Sequence, residues 1–126
     1  MSALPKQLFY TAAHAWVNVD DNNAVVGITD FAQNELGDVV HVELPEVASV
    51  VSAGEEIVMV ESVKTASDVP APLSGVITAV NEALRSTPEL INSSPYDKGW
   101  IYKIRISNKS ELADLLDEKD YLDTCE

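Results

Sequence analysis

Lys64 stands in the segment EIVMVESVKTASDVPAP, between the apolar run Ile57 to Val60 and a tail of prolines and small side chains. It is the only basic residue from Gln7 to Leu84, a stretch that also holds twelve Asp and Glu. A primary amine in that setting suits acylation by an enzyme that must find one target. The target has to be exposed, fixed in space and free of competing amines, and the lack of neighbouring lysines meets the last condition. Thr65, Ala66 and Ser67 follow it and are all small, so nothing bulky shields the amine. Most lysines at a hairpin tip are merely solvated, and the residues alone leave both readings open. Glu61, three residues before, and Asp68, four after, are either recognition groups for a modifying enzyme or ordinary solvated acids.

The other reactive side chains do not assemble into a site by spacing. His14, His41 and Cys125 lack the short intervals of metal ligands. No glycine-rich phosphate loop and no nucleophilic triad pattern appears. Neither a catalytic residue nor a metal is therefore expected. His41, inside VVHVEL, reads as packing at a sheet edge. His14, beside Trp16, reads equally as structural or as part of a cleft.

The elements that must hold Lys64 are mostly strands. AWVNVD and AVVGIT flank the turn cluster DNN as a hairpin. In TDFAQNELG the pattern breaks into a short helix near 30–36, with Asp30 as its cap and Gly37 at its left-handed end. VVHVEL, EEIVMVE, VPAP, GVITAV and WIYKIRIS follow as further strands. In the last, Trp100, Tyr102, Ile104 and Ile106 share one face, while Lys103 and Arg105 share the other. NKSELADLL predicts a C-terminal helix over about 109–122, with Asn108 and Glu111 as a capping box and Leu112, Leu115 and Leu116 as its buried stripe. ESVKTAS lacks the Gly or Asn of a primed turn; a type I turn would put Val63 and Lys64 at the corner. GDVVHV and SGVITAV each open a half that runs through a loop into a second apolar strand. Two such halves predict a mainly β fold, a flattened barrel or sandwich, with Lys64 where one half crosses into the other.

The 126 residues fit a single domain, 1–126, with a core that needs no disulfide or structural metal. Surface scaling gives roughly 6,600 Å² for the folded chain. One cysteine, Cys125, cannot form an internal bridge, which favours a reducing compartment. No apolar run approaches membrane-spanning length, so a cytoplasmic protein is expected, or one of the mitochondrial matrix if a leader has been removed. A net charge of −13 argues against nucleic acid and against anionic membranes. The same field speeds encounter with basic patches on partner proteins, unless it serves only solubility.

VESVKTASD resembles the lipoylation segment of the glycine cleavage system H proteins. GITDFAQNELGD, VELPEV, SAGEEI, SGVITAVNEAL, PELINSSPY, GWIYKI and SELADLL match the same family in order, covering about Phe9 to Leu122. Biotinyl domains usually place methionines beside the lysine, where this chain has Val63 and Thr65. Lipoyl domains of 2-oxoacid dehydrogenases usually have an acid immediately before it.

The resemblance implies a biotinyl/lipoyl-like fold and lipoate joined to Lys64 as an amide. It implies a non-catalytic carrier that moves an aminomethyl group from a pyridoxal phosphate-dependent glycine decarboxylase to a tetrahydrofolate-dependent aminomethyltransferase. Dihydrolipoamide dehydrogenase and a lipoate-attaching enzyme would be the remaining partners. Glu61 and Asp68 match acids flanking the family's lysine, and Thr11 and His14 match its Thr-x-x-His-Glu-Trp motif. Asp68 could also face the docked arm. This chain reads TAAHAW, with Ala15 in the glutamate's place, so either the loaded arm docks more weakly or another group, such as Thr11, Asp68 or a further carboxylate, receives its cationic end. An H-like relay passing lipoate to other acceptors, and an unmodified β-sandwich interaction module, are the competing expectations.

Overall fold

The computed structural model describes residues 8–11, 13–20 and 22–124. Among them, nine strands form two antiparallel sheets. The larger contains β1 (Leu8–Tyr10), β2 (Ala15–Asp20), β3 (Asn23–Ile28), β9 (Tyr102–Ile106), β8 (Gly75–Val80) and β5 (Val50–Val51), in that spatial order. The smaller places β6 (Glu56–Ser62) between β4 (Val39–Glu43) and β7 (Ala66–Pro70). The expected hairpin across the polar turn is present, with Asp20 paired to Asn23. Of the two internal halves, one pairs β4 with β6 and the other β8 with β9, in separate sheets. The fold is a mainly β sandwich with short helices, as the sequence predicts.

Alternation along the strands builds the core. Tyr102, Ile104 and Ile106 point inward from β9, with Lys103 and Arg105 exposed between them. Val42, Val58, Val60 and Val69 of the smaller sheet join Val17, Val26 and Ile77 of the larger in one apolar cluster. Full burial of such side chains is worth about 1.5–3 kcal/mol each. β2 is covered on both faces, because Trp16 packs away from the main core with Tyr10 and Tyr121. Its indole Nε1 donates to the Pro95 carbonyl at 2.9 Å. The folded chain exposes 6681 Å², close to the scaling expectation. No helix among the described residues is long and apolar enough to cross a membrane.

Four local expectations change. Helix α1 (Asp30–Leu36) is capped by Thr29, whose Oγ1 accepts from the Ala32 amide at 3.2 Å, while Asp30 instead accepts from the Gln33 side chain at 2.8 Å. The helix expected over 109–122 is divided. Lys109–Asp114 is 3-10, Leu115 is extended, and a separate α-helix spans Glu118–Thr124. The break lets Leu116 exchange two backbone hydrogen bonds with Tyr10, at 2.7 and 2.8 Å, extending the sheet edge. The capping box is also divided. Asn108 accepts from Ser110, whereas the Glu111 carboxylate receives the Ser74 amide and hydroxyl at 2.7 and 2.8 Å. Leu112 and Leu115 pack on the main core and Leu116 on the aromatic cluster, so they do not form one stripe. Cys125 lies outside the described residues.

Tyr102 supplies a test of the packing. Its ring is wholly buried and its hydroxyl has no hydrogen-bond partner among the described residues, which pushes the phenol pKa far above its ordinary value. An unpaired buried hydroxyl costs roughly 1–3 kcal/mol. Tyr102→Phe should therefore match or exceed the parent in stability, with a gain of about 1 kcal/mol in urea unfolding. A loss of that size would mean the hydroxyl has a partner.

Candidate functional site

Lys64 sits with Val63 at the corner of the β6–β7 hairpin, as expected, between Ser62 and Thr65. Glu61 pairs with Ala66, and the Ser62 amide donates to the Thr65 carbonyl at 2.8 Å. The Ser62 hydroxyl oxygen lies 3.2 Å from both the Lys64 and Thr65 amides and accepts from each. A serine side chain thus stands in for the turn's backbone acceptor. The Val63 amide donates to the Asp38 carbonyl at 3.0 Å, pinning the tip to the segment after α1. Gly37, with φ of 79°, turns the chain there, and a Cβ on it would lie 3.4 Å from Lys64 Cε. The lysine stem therefore runs beside the end of α1. Lys64 is exposed and makes no ion pair with the described residues. It combines a free amine with a rigid mount.

Beside this mount lies a cleft of about 280 Å³ between α1, β7 and the β1–β2 turn. Ile28, Phe31, Leu36 and Val69 give it an apolar wall. His14, Glu35 and Ser67 supply polar groups. Sequence reasoning found His14 but missed Phe31 and Glu35, whose helix carries no local mark of a ligand-facing side. The only signal was the short distance in sequence from α1 to Gly37.

His14 is held by its backbone and its ring. Its φ is 67°, its amide donates to the Thr11 carbonyl and its own carbonyl accepts from Thr29, both at 3.0 Å. Nδ1 lies 2.8 Å from the Tyr121 hydroxyl, which in turn lies 2.6 Å from Thr29 Oγ1, the cap of α1. The ring also packs on Phe31, with centroids 4.7 Å apart. Partial burial lowers the His14 pKa below its usual value, and the Glu35 carboxylate opposes that shift. The imidazole is thus held neutral at neutral pH.

The remaining predicted residues divide by position. Thr11 does not line the cleft; its Oγ1 accepts the Ala15 amide at 3.2 Å and so shapes the turn carrying His14. Ala15 is fully buried, paired with Ile28. Ser67 and Val69 of β7 face the cleft, and strand alternation puts Asp68 between them on the opposite face. Glu61, opposite Ala66, shares that outer face. The structure does not bring Glu61 and Asp68 to the cleft.

Comparison with known proteins places the whole chain. A sequence model of the family described as "Glycine cleavage H-protein" matches residues 8–126. A glycine cleavage system H protein of Carboxydothermus hydrogenoformans is 51% identical over 121 residues, covering 96% of this chain and 93% of that one. One from Listeria monocytogenes is 54% identical over 119 residues, covering 94% and 95% respectively. The crystal structure of a glycine cleavage system H protein from Mycobacterium marinum superposes with a TM-score of 0.89 at 40% identity, covering 95% of this chain and 97% of that one. With likeness in sequence and fold running nearly end to end through the hairpin that presents Lys64, the chain belongs to the glycine cleavage H-protein family.

Proposed function

We propose that Lys64 is the attachment point for lipoate and that the chain serves glycine cleavage as a non-catalytic lipoyl carrier. The observation that carries this reading is the unpaired, exposed amine on a mount fixed by Ser62, Asp38 and Gly37. When bound, lipoate supplies a disulfide that accepts the aminomethyl unit left after glycine loses CO₂. A tether of this kind raises the effective concentration of its cargo at each enzyme it visits.

The cleft fits such a group. Its apolar wall, which includes Phe31 and Leu36, matches a hydrocarbon arm. Glu35 offers a carboxylate to a cationic end, and charge-assisted hydrogen bonds of that kind are about twice as strong as neutral ones. Glu35 thereby takes the part that Ala15 cannot. His14 stays neutral beside it and adds a hydrogen-bonding nitrogen without a competing charge. Exclusion of water protects a labile cargo between enzymes. On the outer face, Glu61 and Asp68 are placed to meet a lipoate-attaching enzyme.

The partners in this reading are the pyridoxal phosphate-dependent glycine decarboxylase, the tetrahydrofolate-dependent aminomethyltransferase and dihydrolipoamide dehydrogenase. We place the exchange in the cytoplasm, in keeping with the bacterial relatives. Reconstitution tests it. The lipoylated chain, added to the decarboxylase, glycine and labelled bicarbonate, should drive exchange that saturates with chain concentration. Exchange no faster than with decarboxylase alone would overturn the assignment.

A further inference from the structure

We propose that His41, Glu43 and Glu61 form a binding site for a transition-metal dication of the zinc type, on the outer face of the smaller sheet. The register brings them together. His41 and Glu43 are two apart on β4 and share a face, and His41 lies directly opposite Glu61 of β6. One donor atom from each lies within 4.8 Å of the others. Zinc bonds to nitrogen and oxygen run about 2.0–2.2 Å, which sets tetrahedral donor separations of about 3.4 Å. Closing a tetrahedral shell asks the donor atoms to draw together by about 1.4 Å at most. None of the three side chains makes a hydrogen bond or ion pair with the described residues, so no side-chain contact has to be broken.

Charge supports a cation here. Sheets commonly set opposite charges across neighbouring strands. Glu43 and Glu61 have no such partner among the described residues. One imidazole with two carboxylates suits Zn²⁺ and its neighbours, whereas Mg²⁺ and Ca²⁺ prefer all-oxygen shells. His41 and Glu43 are exposed, so the remaining coordination positions open to solvent. β6 is the central strand of its sheet, and the same strand leads to Lys64 three residues after Glu61. The site is thus rigid in its backbone and adjacent to the lysine hairpin, and it does not depend on lipoylation.

The full, unmodified chain tests it by titration with ZnCl₂, followed by calorimetry and by imidazole NMR. The chain has two histidines, so the signals are separable. One Zn²⁺ should bind, shifting the His41 resonances and leaving those of His14, already engaged with Tyr121, in place. His41→Ala should weaken binding at least tenfold, and Glu43→Gln several-fold, with unchanged circular dichroism. Excess Mg²⁺ should not displace the metal. Binding of His41→Ala within twofold of the parent, or equal displacement by Mg²⁺, would reduce the site to diffuse acidic attraction and overturn the proposal.

Discussion

A Lys64→Arg chain, produced in a host that attaches lipoate, should keep the mass of its sequence and support no glycine-dependent bicarbonate exchange. Arginine preserves the positive charge and nearly the length of lysine. Its guanidinium stays protonated and cannot act as the nucleophile that an acylating enzyme needs. Folding should be unaffected, because the lysine amine makes no ion pair with the described residues. The hairpin contacts run through the backbone amides of Val63, Lys64 and Thr65, which the substitution leaves alone. An exposed change of this type shifts stability by no more than about 0.5 kcal/mol. The expected result is complete loss of carrier activity in a chain that melts with the parent. Retained exchange would show that another residue bears the group.

The largest stability effect should come from Gly75→Ala. Gly75 lies inside the larger sheet, paired with Val51 on one side and Ile106 on the other. A Cβ there would fall 2.0 Å from the Arg105 carbonyl oxygen and 2.9 Å from its carbon. Both are backbone atoms of the adjacent strand, so no rotamer change relieves the contact. β8 would have to move away from β9, straining core packing and ladder hydrogen bonds worth about 1 kcal/mol each. Overpacking costs typically 1–3 kcal/mol and sometimes more, and here about 3 kcal/mol or above is expected by urea unfolding. Gly54→Ala is the contrast. Gly54 has φ of 89° and nothing within 4 Å of the added carbon, so it should lose only about 1–2 kcal/mol of backbone strain. A milder effect at Gly75 than at Gly54 would contradict the sheet packing described here.

Local pattern made much of this legible. The alternation in WIYKIRIS gave a strand with Tyr102, Ile104 and Ile106 inward, EEIVMVE gave a second strand, and the polar turn at DNN gave the first hairpin. Lys64 stood out by composition, since isolation from other amines is visible in one dimension. What escaped is set by contacts between distant segments. The C-terminal helix reads as continuous until Tyr10, more than a hundred residues earlier, competes for the backbone of Leu116. Thr29 and Asp30 are both good caps, and the Tyr121 hydroxyl on Thr29 belongs to a packing that no local signal reports. The cleft combines a turn, a helix and a strand, so Glu35 becomes visible only when they meet. His41 read as a sheet-edge residue. Its neighbours Glu43 and Glu61 required knowing the β4–β6 register, which a bulge between Val39 and His41 displaces from simple counting.

The account turns on whether the amine at position 64 is acylated, and mass spectrometry of the chain from lipoylation-competent cells asks this directly. Intact mass should exceed the sequence by one lipoyl group, and fragmentation should put that group on Lys64. A bare Lys64, in cells whose other lipoyl proteins are fully modified, would contradict the carrier assignment.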